Sequence, residues 1–129
     1  MSRSLLDKLG FRAGATGWVV GAPADLDVAF AGVVAGDDPA WIAAFCRNAA
    51  TVQKVAREVL PLYRPGGHLW LIYPKRGGGI ETDINRDHGW GPIEAAGFLP
   101  VAQVAVNVTW SALRFRRREE IPRITRKGG

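Results

Sequence analysis

Residues 60–75 read LPLYRPGGHLWLIYPK, and the fold turns on how this stretch is read. A helix end, a Pro-Gly-Gly turn and an uninterrupted apolar strand follow one another. Leu69, Trp70, Leu71, Ile72 and Tyr73 put apolar side chains on both faces of that strand. Such a strand belongs in the middle of a sheet covered by helices, not in a half-wet hairpin. In sheets of that kind ligands bind just beyond the carboxyl ends of the strands. Here that end runs into YPKRGGGIETDINRD, residues 73–87, the most polar and glycine-rich part of the chain. The sequence thus places a site without naming its chemistry.

Working outward, residues 40–46 (AWIAAFC) suit either the start of one long helix from Pro39 or a buried strand with Asn48 capping a new helix. The strand is preferred, because it completes a strand–helix–strand unit with residues 60–73. From Val52 the helical pattern is plain. Val52, Val55, Ala56, Val59 and Leu60 fall on one face, and Gln53, Lys54, Arg57 and Glu58 on the other. Upstream, Ser4 opens a short capped helix closed by Gly10, and residues 17–22 form a first strand. Residues 24–30 suggest a short helix and residues 32–34 a short edge strand.

Downstream, residues 83–88 suggest a turn of helix. Pro92 opens a short helix, PIEAA, that Gly97 ends. Residues 101–108 and 110–115 alternate with period two around a corner at 107–109, which predicts an antiparallel pair. Together these elements predict a three-layer α/β domain. Parallel strands near 17–22, 40–46 and 68–73 are closed by a C-terminal antiparallel hairpin at 100–116.

The chain of 129 residues is 47% hydrophobic with five tryptophans, enough for a real core in one domain. A lone Cys46 excludes an internal disulfide and a cysteine-built metal site. No apolar run reaches the ~18 residues of a membrane helix, and MSRSLLDKLG has no signal-peptide core, so a cytoplasmic setting without membrane contact is expected. The net charge of +5 is concentrated at the end. Residues 114–127 hold seven Lys and Arg against Glu119 and Glu120, which leaves the rest near neutral. Residues 118–129 read as a basic, flexible tail beyond a domain of residues 1–117. It solubilises the domain or binds nucleic acid weakly and non-specifically.

One ordered set of residues carries a family resemblance. It comprises Lys8-Leu9-Gly10, Ala22-Pro23, Pro65-Gly66-Gly67 with Leu69-Trp70, Tyr73-Pro74-Lys75, Thr82-Asp83, Arg86-Asp87, and Thr109-Trp110-Ser111 with Leu113-Arg114. Over roughly residues 4–117 the chain resembles the second half of a class I methyltransferase domain. More closely, it resembles a family of small bacterial domains of unknown function with that Rossmann-like shape. The resemblance implies a mostly parallel Rossmann-like sheet and supplies no activity. True methyltransferases hold S-adenosylmethionine with a glycine-rich loop after the first strand and an acidic residue ending the second. Here the loop reads Gly21-Ala22-Pro23-Ala24, and only about seventeen residues separate it from the next central strand. The cofactor site reads as truncated, so S-adenosylmethionine is admitted but not favoured.

Lys75, Arg76, Thr82, Asp83, Arg86 and Asp87 gather after the central strand. Lys75 and Arg76 supply cations, and Gly77-Gly78-Gly79 lets backbone N–H groups converge on an oxyanion. Thr82 or Asp83 is placed to cap a following helix. The bland reading is a surface loop in which Asp83 caps and Asp87 pairs with Arg86 or Lys75. Trp90, between glycines, is the one tryptophan placed to cover a ligand; Trp18, Trp41 and Trp70 read as core. His68 and His88 stand apart without metal-ligand spacing. Ser111 with His88 and Asp87 lacks a nucleophile elbow, so no catalytic group is assigned. The expectation is a non-catalytic domain that binds an anionic small molecule or a protein partner through Lys75, Arg76, Thr82, Asp83, Arg86, Asp87 and Trp90. A reduced methyltransferase is the alternative, and an exposed sheet edge permits a homodimer.

Overall fold

The apolar runs become six strands: β1 (Thr16–Val20), β2 (Val34–Ala35), β3 (Trp41–Phe45), β4 (His68–Pro74), β5 (Phe98–Ala105) and β6 (Trp110–Arg117). They form one sheet in the order β2-β1-β3-β4-β6-β5 in the computed structural model, which describes residues 4–121. The first four strands are mutually parallel, and β6 runs antiparallel to both of its neighbours. The sheet is therefore the mostly parallel, hairpin-closed one that the sequence predicts. Residues 40–46 are a strand, as preferred: all of β3 is buried.

Helix α2 (Ala49–Val59) starts at Asn48, whose Oδ1 accepts from Thr51 N at 2.9 Å. It buries Val52, Val55 and Val59 against the face formed by Ile42, Leu69, Leu71 and Leu113. Each such side chain is worth about 1.5–3 kcal/mol of burial, so a charge at Val55 would undo the layer. Helix α3 (Gly91–Ala95) adds Ile93 to the same core, with Pro at its start and Gly97 (φ +94) just past its end. The opposite face is covered more thinly. Helix α1 (Leu5–Lys8), capped by Ser4, and the segment around Phe30 pack on Trp41, Ala43, Trp70 and Ile72. The indole N–H groups of Trp41 and Trp70 both donate to the Leu9 carbonyl, at 2.8 and 2.7 Å.

Four expectations change. Residues 83–88 form no helix but a turn closed by a bridge between Asn85 and His88. Asn85 Oδ1 accepts from Asp87 N, and that local bond competes with a helical one. Of the helix expected at 24–30, only a 3-10 turn over Ala24–Leu26 forms. Trp18 is not core: it pairs with Ile42 from one strand nearer the sheet edge and is 37% exposed. The chain also stays docked beyond residue 117. Residues 118–120 make a 3-10 turn, and Glu120 accepts from Tyr63 Oη (2.6 Å), Gly66 N (2.7 Å) and Arg117 N (3.1 Å). The remainder of the expected tail, 122–129, lies outside the described residues. Among the described residues no helix is long and apolar enough to cross a membrane.

Candidate ligand-binding site

Strand β4 ends at Pro74, and Lys75 is held where it leaves the sheet by its backbone N–H, which donates to the Thr109 carbonyl at 2.7 Å. Gly77 and Gly79 take positive φ (76° and 95°), which turns the loop sharply. A Cβ on Gly78 would lie 3.0 Å from Thr109 Cα, so only glycine lets the loop press on the β5–β6 corner. The segment then returns across the amino end of α2. Between them opens a cleft of about 950 Å3, lined by Asn48, Lys75, Arg76 and residues 79–85. It lies beyond the carboxyl ends of β3 and β4, where ligands of such sheets bind.

The predicted site residues divide into two groups here. Lys75 and Arg76 face the cleft, and among the described residues neither side chain makes a hydrogen bond or ion pair. They are the available cations. Thr82 and Asp83 line the same cleft but are engaged. Thr82 Oγ1 donates to the Arg47 carbonyl, and Asp83 Oδ1 accepts from Ala49 N at 2.8 Å. Asp83 therefore caps a helix, as the sequence suggests, but the preceding one. That bond also places its negative charge at the positive end of α2. Glu81 is exposed on the rim, the one carboxylate there without such a bond.

Arg86 and Asp87 lie one step away. They pair with each other at 3.0 Å, and Arg86 Nε donates to Gln103 Oε1 at 2.9 Å. Trp90 is buried rather than laid open over the cleft. It is 3% exposed, donates to the Asn85 carbonyl at 2.8 Å and packs edge-on to Tyr73, with ring centres 5.7 Å apart. Its flanking glycines serve the turn: Gly89, at φ +100, fits over Ile84 where any Cβ would collide.

Sequence reasoning left Gln103 and Tyr73 out of the site and weighed Ser111 only beside His88 and Asp87; the three meet on one face of the sheet where β4, β6 and β5 run side by side. Gln103 Nε2 donates to Tyr73 Oη at 2.8 Å and to Ser111 Oγ at 3.1 Å. The available signal was the lone Gln103 between Ala102 and Val104 in an alternating strand, but only strand register shows what it meets. Ser111 is thus tied to Gln103, and His88 bonds Asn85 through backbone alone. Cys46, at the end of β3, is held as a thiol: burial pushes its pKa to about 12.

The residues do not fit S-adenosylmethionine held in the usual way. Strand β2 pairs only with Thr16 and Gly17, at the start of β1. The acids that follow it, Asp37 and Asp38, therefore fall toward the amino edge. There the Asp38 carbonyl accepts from Thr16 Oγ1, and its carboxylate pairs with Arg64 at 2.8 Å. Beside Ala35, the last residue of β2, a cavity shared with Gly17, Val19 and Ala22 does hold a carboxylate, Asp27, but it comes from the segment before β2 rather than from its end. Gly21 turns at φ +74, but Pro23 leads into a 3-10 turn rather than the N-terminus of a helix.

No protein-family model matches the chain, and no curated protein matches it in sequence. Solved structures do match in shape. Mitomycin 7-O-methyltransferase MmcR is similar over 81% of this chain and 50% of its own, at 13% identity and TM-score 0.53. The Methanococcus jannaschii fibrillarin pre-rRNA processing protein matches over 82% and 67%, at 11% identity and TM-score 0.54. A protein of the NADB-Rossmann superfamily from Streptococcus agalactiae matches over 91% and 69%, at 10% identity and TM-score 0.53. The chain thus spans half the length of the first of these and about two thirds of the others. At such identities the likeness shows shape alone: the chain has a Rossmann-like fold of the class I methyltransferase type.

Proposed function

We propose that this domain binds an anionic small molecule in the cleft beyond β3 and β4. The observation that carries this reading is a pair of cations, Lys75 and Arg76, without partners among the described residues and set at the carboxyl edge of a Rossmann-like sheet. A charge left without an internal partner in a concave site is available to a ligand, whereas Asp83, Arg86 and Asp87 are already spent. Titration with inorganic pyrophosphate, followed by thermal shift, tests it. A ligand at ~1,000 times its Kd adds about 4 kcal/mol of stability, a clear rise for a domain of this size. Lys75→Ala should abolish the rise while the ligand-free Tm stays put. An unchanged rise in that variant would sink the reading.

The fold likeness favours a second reading, a reduced S-adenosylmethionine-dependent methyltransferase, and taken alone it supports that better than a non-catalytic binder. The local geometry at Gly21 and Asp38 weighs against it. The same thermal-shift experiment with S-adenosylmethionine separates the two. A saturable rise that is lost in a Gly21→Val variant would establish the methyltransferase reading, and a flat curve would leave the anion reading alone.

A further inference from the structure

A smaller cavity lies on the other side of Lys75 and Arg76 from the main cleft. It measures about 450 Å3, and its lining includes Tyr73, Lys75, Arg76, Arg86, Gln103 and Ser111. The hydrogen-bond directions inside it can be worked out. A guanidinium has donors only, so the Gln103 atom that meets Arg86 Nε is the carbonyl oxygen. The Gln103 amide nitrogen then faces Tyr73 Oη and Ser111 Oγ, and both hydroxyl oxygens act as acceptors there. Their own protons are left to donate elsewhere. Among the described residues no acceptor takes either one. Tyr73 is 4% exposed and Ser111 2%, and both line this groove, so two O–H donors stand at the floor of a space that is open to solvent. Water can accept from both hydroxyls there, and a ligand oxygen that enters the groove takes over those bonds at a fixed place.

We propose that this cavity receives the terminal phosphate of a small phosphomonoester. The inference rests on the anion-binding reading and names its ligand class. Two hydroxyl donors, one ammonium and one guanidinium offer more bonds than the two oxygens of a carboxylate accept comfortably. A phosphate monoester brings three terminal oxygens and a charge of about −1.5 to −2 against the two free cations, Lys75 and Arg76. Asp87 also lines the cavity, but its charge is matched by Arg86 at 3.0 Å. Arg86 is then a positioning residue: it sets the Gln103 amide, which sets the two hydroxyls.

Calorimetric titration of the full chain with inorganic phosphate, at constant ionic strength, tests this. The wild-type protein should bind saturably. Gln103→Glu keeps the contact to Arg86, but its carboxylate captures both hydroxyl protons and adds a negative charge. Phosphate affinity should fall at least ~100-fold with Tm unchanged or raised. Tyr73→Phe removes a single donor and should weaken binding about 10- to 100-fold, the usual worth of a hydrogen bond to a charged group; it decides the matter if Gln103→Glu does not fold. Wild-type affinity in both variants would overturn the subsite. If Lys75→Ala still abolished binding in that case, the anion would sit in the larger cleft and the broader reading would stand. A wild-type protein that takes up no phosphate would overturn the subsite as a cavity filled by water alone.

Discussion

The two ends of the sheet use their polar groups differently. At the amino end most polar side chains bind one another and the backbone, although the buried Nε atoms of Arg114 and Arg116 have no acceptor among the described residues. Arg64 holds Asp38, Glu120 gathers Tyr63, Gly66 and Arg117, and the Leu9 carbonyl takes two tryptophan N–H groups. At the carboxyl end, among the described residues, Lys75 and Arg76 are unpaired, and the Tyr73 and Ser111 hydroxyls have protons to spare. An unpaired polar group costs stability unless something outside the chain meets it. The amino end is therefore where this fold is held together. The carboxyl end is where it is open to a ligand.

Substitutions at the amino end should cost stability, and those at the carboxyl end should not. The largest expected effect is at Trp70, which is 3% exposed and bonded to Leu9. Trp70→Ala should destabilise by about 3–5 kcal/mol in urea unfolding, because it leaves a cavity and removes one of the two bonds to the Leu9 carbonyl. A loss under 1 kcal/mol would break the contrast at its strongest point.

Glu120 comes next. Burial pushes its carboxyl pKa up, but the bonds from Tyr63, Gly66 and Arg117 and the nearby Arg116 guanidinium outweigh that and hold it below its ordinary 4.5. Glu120→Ala should cost about 2 kcal/mol at pH 7, since it removes three bonds to one charged group. The pH dependence has a definite sign. A depressed folded-state pKa contributes stability in full above the unfolded value, and that contribution disappears as pH falls through the folded value. The gap between wild type and Glu120→Gln should therefore narrow as pH drops from 7 to below 4.5. A gap that stayed constant over that range would deny the carboxylate its role.

Asp83 tests the boundary between the two ends, because it lines the cleft yet bonds Ala49 N. Asp83→Ala should cost about 1 kcal/mol, the usual worth of a helix cap. A neutral result by chemical denaturation would return Asp83 to the ligand's side. The smallest effect is expected at Lys75. Lys75→Ala should change unfolding free energy by no more than about 0.5 kcal/mol, as for a surface side chain without partners. A substantial destabilisation would make it a structural residue and remove the main support for the binding reading.

Much of this was legible because local rules decide it. The doubly apolar run at 69–73, the cap at Asn48, the helical spacing of Val52, Val55 and Val59, and Pro92 with Gly97 each specify an element through steric fit or burial. Parallel strands joined by a helix, with a hairpin to close, leave few other arrangements. The place of Lys75 and Arg76 beside the cleft was legible by the same logic, since a polar loop must follow the carboxyl end of a buried strand.

Long-range register was decided only in three dimensions. The sequence holds Trp90 between two glycines, which suggests exposure; the fold turns it inward onto Tyr73 and Phe115. It holds Asp83 before an expected helix; the fold gives its carboxylate to a helix 34 residues earlier. Glu120 reads as part of a charged tail until the Tyr63 hydroxyl, 57 residues away, arrives beside it. Gln103 reads as an ordinary polar position until β5, β6 and β4 align it with Ser111 and Tyr73. The sequence by itself determined the elements and the edge at which the polar, glycine-rich loop emerges, because dihedral preference and burial act over a few residues. The tertiary structure alone decided which polar groups find partners and which are left over, because a hydrogen bond joins whatever the packed strands bring within about 3 Å.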